Sequence, residues 1–322
     1  MTLTVTLNPL LENRFYFDEI NFGEVNRSTK NEFKAGGKGI NVSRQLNFLD
    51  VPNNALTFAG GSNGKIYRSI IAKEMVNTTF ISASENLRSA SLIIEEKKNR
   101  ISSFFEPDTK ISEKEVSNFK SKLEKMIVNS SIVVFSGSSP NIFTDEIFSF
   151  GIKKANELDK ISILDTYGNH LQECIDAGPT VIHNNVNEIE KSLNKSLKNE
   201  KEKIEFLKYL NTKNIKLAFL TDGANPGYAS KYDFHYKFQN KIIETADATG
   251  SGDAFTAGIV YGLERSLVFE EFLKTAAALG IANASEWNTC EVSKDKLKEF
   301  YDSITIETIG KKMKIIDDSP NY

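Results

Sequence analysis

Asp247-Ala-Thr-Gly-Ser-Gly-Asp253-Ala-Phe-Thr-Ala-Gly258 runs into Ile259-Val-Tyr-Gly-Leu263, so glycines and an acid stand at the start of an apolar helical run. Backbone amides of Gly250, Ser251 and Gly252 at such a helix start can point together at an anion, and the helix macrodipole adds to the attraction. Asp253, beside that cradle, is placed to take a proton from an attacking hydroxyl, as phosphoryl transfer requires when positioning and electrostatics carry the catalysis. Taken alone, the stretch also fits a plain glycine-rich turn before a helix with an acidic first turn.

Outward from it, short apolar runs at Leu3–Leu7, Ala55–Ala59, Ile132–Ser136, Ile161–Asp165, Thr180–His183 and Lys216–Thr221 end in polar or glycine-rich residues and alternate with helical patterns. That is the pattern of a mostly parallel sheet covered by helices on both faces, with ligands at the strand ends. Ser112-Glu-Lys-Glu115 has the form of a capping box, with Ile111 and Val116 as its hydrophobic staple. Val116, Phe119, Leu123 and Met126 then share a helical face, as do Ile204, Leu207 and Leu210, and both stripes are assigned to packing on the sheet. Two regions break the rhythm, Phe15 to Lys34 and Ser89 to Glu106. The second reads as a hairpin of Ser91–Glu96 and Ile101–Glu106 turned at Lys97-Lys-Asn99. Two readings fit these insertions: a small sheet acting as a lid that excludes water, or a surface excursion without a role.

The chain has 322 residues, 40% hydrophobic and 26% charged, enough for a sizeable core. A net charge of -3 and a pI near 5.8 give no basic face for a nucleic-acid partner. Two cysteines, Cys174 and Cys290, make neither a disulfide framework nor a thiolate metal site. The first residues alternate like a strand, with no basic leader and no run long enough to span a membrane, so a cytoplasmic protein is expected. His170 and Cys174 are read as ordinary helix positions, His235 as an edge-strand residue, Trp287 as packing, and Lys311 to Tyr322 as a polar, fraying end.

A second glycine-rich segment, Ala35-Gly-Gly-Lys-Gly-Ile-Asn41-Val-Ser43-Arg44, leads into a helix with Val42, Leu46 and Leu49 on one face. Its glycines let a ligand approach the backbone, and Lys38 and Asn41 offer a cation and an amide suited to a phosphorylated sugar. It is no Walker loop, because Gly39 follows Lys38, and no dinucleotide fingerprint, because Val42 stands where the third glycine belongs. The segment Gly60 to Lys65 fails as a Walker loop at Ile66.

These two segments, in this order and this far apart, resemble the two signatures of the PfkB carbohydrate kinases, and the likeness covers nearly the whole chain. Within that family the sequence is similar to the tagatose-6-phosphate kinase and 1-phosphofructokinase branch: Thr4-Val-Thr-Leu-Asn-Pro9 resembles its opening strand and Gly23-Glu-Val-Asn-Arg27 its lid segment. The Gly-Ser-Gly-Asp-Ala wording and Ala282-Asn-Ala-Ser-Glu286 lean to the tagatose member. The resemblance implies a ribokinase-like three-layer α/β/α sandwich with a mostly parallel central sheet, one kinase domain over 1–322, and a small β-sheet lid from insertions at about 13–35 and 88–107. The implied activity is ATP-dependent phosphorylation of tagatose 6-phosphate, with 1-phosphofructokinase or 6-phosphofructokinase activity as alternatives.

Residue by residue, the resemblance implies that Asp253 is the base and that Gly250, Ser251 and Gly252 form an anion hole for the transferred phosphoryl group. Asn185-Val-Asn-Glu188 matches an Asn-x-x-Glu element in which Glu188 helps hold Mg2+, through water, and Asn185 lies near the ATP phosphates. Thr221 and Gly223 match the nucleotide loop, together with Gly250 and Gly252, and Asn283 the helix beside the adenine. Arg27, Gly37, Lys38, Asn41, Arg88 and Ser138 fall on positions that bind the sugar or its phosphate. Arg100 is read first as a solvated charge. The implied partners are ATP and a sugar phosphate, with room for a homodimer through the lid.

Departures from the family pattern stand at several positions. The branch usually runs Asn-Pro-x-x-Asp, with the acid on sugar hydroxyls, whereas Asn8-Pro-Leu-Leu-Glu12 places an acid one methylene longer there, so a shifted sugar pocket is expected. Asp50, Ala248, Pro226 and the His183-Asn184 pair also differ, and none of these removes Asp253, the anion hole or Glu188. Two rivals remain, a non-catalytic sugar-phosphate sensor with this fold and, remotely, a nicotinamide dehydrogenase.

Overall fold

Ile132-Val-Val-Phe-Ser136 explains the layering. Side chains alternate across a strand, and here Ile132 and Val134 join one hydrophobic cluster while Val133 and Phe135 join another. A strand apolar on both faces needs a helical layer on each side. The computed structural model describes residues 1–239 and 243–311; the expected fraying of the C-terminal end falls, beyond Lys311, outside the described residues.

In chain order the elements begin with β1 (Thr2–Thr6), β2 (Leu10–Phe17), β3 (Lys30–Gly36), α1 (Lys38–Phe48), β4 (Asn53–Gly60), α2 (Gly61–Lys73) and β5 (Thr78–Ala83). There follow β6 (Ser89–Glu95), β7 (Arg100–Phe105), α3 (Glu113–Val128), β8 (Ile132–Ser136), α4 (Glu146–Glu157), β9 (Ile161–Asp165) and α5 (Leu171–Asp176). Next are β10 (Val181–Asn185), α6 (Val186–Leu193), α7 (Glu200–Thr212), β11 (Leu217–Asp222), β12 (Asn225–Lys231) and β13 (Phe234–Gln239). The last are α8 (Ser251–Glu264), α9 (Phe269–Ala284), α10 (Lys294–Tyr301) and β14 (Thr305–Ile309).

The main sheet has the order β14-β13-β12-β11-β10-β9-β8-β1-β4-β5. From β11 to β5 every neighbouring pair is parallel, and β12, β13 and β14 add antiparallel strands at one edge. Helices α3 to α7 pack on one face, and α1, α8, α9 and α10 on the other. The expected ribokinase-like α/β arrangement is therefore observed. A separate four-stranded sheet, β3-β2-β6-β7, is made by the two insertions, with β2 and β6 running parallel where they meet. It begins at Leu10, earlier than the inserted segment read from sequence.

Local expectations are met or corrected by packing. Ser112 and Glu115 form the reciprocal cap of α3, and Ile111 and Val116 beside it are buried. Ile127 rather than Met126 completes the buried stripe of α3, because the turn after Leu123 carries the inward direction to i+4. The second hairpin turns through Glu96–Lys98, with Asn99 left-handed at φ 46. His235 is not on an edge: β14 pairs with β13 on its outer side, opposite Ile309.

Helices α8 and α9 lie so close at Gly258 that no side chain fits there. A Cβ on Gly258 would sit 2.5 Å from the Cα of Ala276. Helix propensity favours alanine over glycine by about 1 kcal/mol, but a backbone cannot yield as a flexible side chain does. Gly258→Ala is therefore expected to destabilise the protein by about 1–3 kcal/mol, read as a lower urea midpoint at unchanged m-value; a higher midpoint would show that α9 can move aside.

Candidate active site

The chain leaves β1 toward β4 and β5 on one side and later fills β8 to β11 on the other, so the topological switch lies between β1 and β8, where open α/β sheets form their ligand crevice. Two residues just past those strand ends meet there: Asn8 donates from Nδ2 to Ser138 Oγ at 3.0 Å. The same amide donates to Asp108 Oδ1 at 2.8 Å, and Arg88 Nη1 donates to that oxygen, also at 2.8 Å.

Helix α8 aims its N-terminus into the crevice. Gly250 is its N-cap at φ 79 with no side-chain cap, a left-handed backbone that glycine adopts without strain. Ser251 N–H is turned back onto Ala248 O at 3.2 Å, because that bond closes the turn. The amides left free at the helix start among the described residues are thus Gly250, Gly252 and Asp253. Asn283 braces this loop from α9: its Nδ2 donates to Thr249 O at 2.8 Å and to Ser251 Oγ at 3.2 Å, and its Oδ1 accepts from Cys290 N at 2.7 Å.

Asp253 is buried in the first turn of α8. Its Oδ2 accepts from Asn41 Nδ2 at 2.8 Å, and Asn41 Oδ1 accepts from Arg44 Nη1 at 2.8 Å, which fixes the amide's orientation. Burial pushes the Asp253 carboxyl up to about 7; Lys38 opposes that and the nearby Asp165 carboxylate adds to it. Lys38 Nζ lies 3.0 Å from Asp165 Oδ1 and 2.8 Å from Glu188 Oε1. Burial would lower the ammonium's affinity for its proton, but Asp165 and Glu188 outweigh it and hold Lys38 well above the usual lysine range. At Asp165 burial acts upward and is overcome, chiefly by Lys38 and then His183, so the carboxyl sits below its ordinary range.

Asp165 is held from its other side as well. Thr256, one turn after Asp253, donates to Asp165 Oδ2 at 3.0 Å and bonds His183 Nδ1 at 3.0 Å. His183 stacks on Phe255, and its Nε2 meets Thr221 Oγ1 at 3.3 Å. Asn185 and Glu188 form a capping box on α6: Glu188 N–H donates to Asn185 Oδ1 at 2.9 Å and Asn185 N–H to Glu188 Oε2 at 3.1 Å. Their spacing is thus fully used by the helix start, while Glu188 Oε1 remains for Lys38.

Behind α8 a cavity of about 630 Å³ opens between β10, β11, α8 and α9, with Lys38, Asn185, Glu188, Thr221, Gly223 and Gly252 on its lining. Its far wall is apolar, including Phe238, Ile243 and Ile281. The structure thus brings Lys38, Asn41, Asp253, Glu188 and the α8 N-terminus together, with Asn8, Ser138 and Arg88 grouped at the neighbouring strand ends. Asn283 does not line the cavity. Gly37 has φ 125, and a Cβ there would press on Thr6 and Pro9, so glycine lets α1 start close to β1. Glu12 Oε2 is taken by buried Arg14 at 2.8 Å, while its Oε1 lies over Gly36. Arg27 is exposed on the segment between β2 and β3 and is not among the grouped side chains. Arg100 pairs with Glu95 inside the small sheet.

Sequence reading passed over Asp165, Thr256 and Asp108. Asp165 carried a usable signal, an acid ending an apolar strand on the ligand side of the sheet. Thr256 and Asp108 carried none, because their partners are distant in sequence. Of the departures, Asp50 sits beyond α1 in an exposed ion pair with Lys294, and Ala248 lines the cavity.

A model described as pfkB family carbohydrate kinase matches residues 9–296. Tagatose-6-phosphate kinase of Staphylococcus epidermidis is 30% identical over 309 residues, 95% of this chain and 99% of its own length. 1-Phosphofructokinase of Borreliella burgdorferi is 30% identical over 312 residues, 96% of this chain and 99% of its own. Among solved structures, a Thermotoga maritima protein named as a possible 1-phosphofructokinase superposes with a TM-score of 0.87 at 24% identity, covering 96% of this chain and 99% of that one. Phosphofructokinase-2 of Escherichia coli, in its potassium complex, gives 0.86 at 22% identity, covering 93% of this chain and 97% of that one.

Removing the Lys38 cation would leave Asp165 buried without its main counter-charge. Lys38→Met should cost about 3–5 kcal/mol of stability at neutral pH. In the variant burial acts on Asp165 against only His183 and the Thr256 hydroxyl, so it takes up a proton more readily and the deficit narrows as pH falls. Urea unfolding of both proteins across pH checks this; a pH-independent deficit would mean that the loss is one of packing.

Proposed function

Because the chain belongs to the pfkB family of carbohydrate kinases, we propose that it transfers the γ-phosphoryl group of ATP to the free primary hydroxyl of a phosphorylated ketohexose. Tagatose 6-phosphate is the first acceptor in this reading and fructose 1-phosphate the second; relatives named for each are 30% identical to this chain. The observation that carries it is the position of Asp253, buried in the first turn of α8, bonded to Asn41 and close to Lys38, which with Gly252 lines the large cavity.

In this mechanism the nucleotide fills the cavity, its base against the apolar wall and its phosphates toward Gly252 and Lys38. The acceptor lies over Gly36 and Gly37, its hydroxyl reaching Asp253 and its phosphate the Arg88 end. Asn41 holds one Asp253 oxygen and leaves the other to take the hydroxyl proton. A carboxyl titrating near the working pH combines the needed ionised fraction with useful basicity. The free amides at the α8 start receive the negative charge of the moving phosphoryl group. Glu188 and Asp165 converge on one point, now held by Lys38, and such a pair of oxygen donors fits Mg2+ that keeps its waters and binds mainly through the nucleotide phosphates. When bound, that ion neutralises phosphate charge. Glu12 Oε1 is left to accept from a sugar hydroxyl. The small sheet serves as the lid and offers Phe33, Phe104 and Phe105, all exposed, to a second copy of the chain. A reducing, cytoplasmic setting suits the buried free thiols Cys174 and Cys290; among the described residues no helix is long and apolar enough to cross a membrane.

ADP release with Mg·ATP, assayed on tagatose 6-phosphate, fructose 1-phosphate, fructose 6-phosphate, ribose and fructose, tests the reading. Turnover on one phosphorylated ketohexose is expected, falling about tenfold per pH unit below about 7 as Asp253 takes up its proton, and vanishing in Asp253→Asn. Substantial activity in that variant would remove Asp253 from the role of base; no turnover on any sugar, with ATP still bound, would favour a sensor. The same variant has a stability signature. The folded-state pKa of Asp253 is raised, so the native protein binds more protons than the unfolded chain from the ordinary carboxylate range up to about 7, and stability falls as pH rises through that window. Asp253→Asn should therefore melt higher than the parent at pH 8 and close to it at pH 4.

A further inference from the structure

The acceptor end of the crevice already contains a carboxylate. Arg88 uses Nη2 on Asn8 O at 3.1 Å and Nε on Pro9 O at 3.4 Å, so its charge faces outward through Nη1, where it meets Asp108 Oδ1 at 2.8 Å. That oxygen also takes the Asn8 amide at 2.8 Å, which Asn8 shares with Ser138. Asn8 is 5% exposed, and its Oδ1 has no hydrogen-bond partner among the described residues, although a buried acceptor is normally satisfied. Other cations of the surrounding strands and helices are held by acids as well: Lys38 by Asp165 and Glu188, Arg14 by Glu12, and Lys34 by Glu291.

We propose that Asp108 is a specificity-determining residue of the acceptor site: its carboxylate occupies the anion-binding donors of Arg88 and Asn8, and an anionic acceptor binds by displacing it. The inference rests on the reading of this crevice as the acceptor site. Asp108 is the mobile partner. Its side chain is 44% exposed whereas that of Arg88 is 13% exposed, and it stands on the connection between β7 and α3, so it can turn to water while Arg88 stays anchored to two carbonyls. A phosphate brought to Arg88 with Asp108 in place would set two like charges against one cation, which is strongly unfavourable. Binding must first break the Arg88–Asp108 pair, and the phosphate, which carries about −1.5 to −2 charges at neutral pH, still faces the displaced carboxylate near by, so it binds more weakly than to a free arginine. Asn8 Oδ1 remains as the acceptor for a sugar hydroxyl, which lets the site favour an acceptor carrying both groups over phosphate alone.

The experiment compares the parent with Asp108→Asn, which keeps the shape and an oxygen for Arg88 but removes the charge, and with Asp108→Ala. Calorimetric titration with inorganic phosphate and with tagatose 6-phosphate should show affinities higher by about fivefold in both variants. Affinity for an ATP analogue and for unphosphorylated tagatose should be unchanged, and KM for the phosphorylated acceptor should fall with kcat held. Equal or weaker anion binding in the variants would overturn the proposal and make Asp108 a support for Arg88; absence of phosphate binding by all three proteins would overturn it too. The phosphate titration is independent of turnover, so the anion exchange is tested even in a chain that phosphorylates no ketohexose phosphate, the outcome that defeats the kinase reading.

Discussion

One ammonium group organises the crevice at the strand ends. Lys38 sits between Asp165 and Glu188 with Asp253 near by, three carboxylates from three separate elements of the fold. Without a cation at that point the acids would repel one another in a place where water cannot screen them. With it, they settle into unequal states: Asp165 is held ionised, and Asp253, which has an amide but no direct ion pair among the described residues, is raised toward neutrality. Two buried acids given opposite tendencies by their surroundings are the usual basis for dividing chemical roles within a site.

The scaffold serves that arrangement through close approach. Asp253 is carried by α8, which can reach the strand ends because Gly258 lets α9 press against its back. The loop before α8 is stiffened by Asn283, whose amide bonds three partners. Thr256 links α8 to β9 through Asp165 and to β10 through His183. A shift of α8 would thus disturb Asp253, the free amides at the helix start and the Lys38 cluster together.

Neutralisation also runs through the small sheet and the strand ends beside it, where Glu12 is paired with Arg14 and Arg88 with Asp108. Burial explains why. An arginine or glutamate taken out of water needs a partner of opposite sign, so a crevice meant for an anion either leaves a cation exposed or supplies a substitute.

How much of this was legible follows from the range over which each signal acts. The parallel strands, the capping box of α3 and the glycine turn before α8 are local: alternation, side-chain reach over three residues and backbone freedom are written in adjacent residues, and the observed elements lie within a few residues of the expected ones. Asn185 and Glu188 had a local signal too, since their spacing is that of a capping box, and a functional resemblance masked it. The strand added by β14 escaped because its partner β13 lies more than sixty residues earlier. Thr256 and Asp108 escaped for the same reason, each acquiring its meaning from a residue on another element, whereas Asp165 had a local signal in its place at the end of an apolar strand. By itself the sequence determined the layered α/β fold, the helix start that presents Asp253, and the pairing of two glycine-rich segments. Only the tertiary structure decided which charges neutralise which, because electrostatic pairing depends on distance in space and on lost water, and neither is set until distant strands and helices have packed.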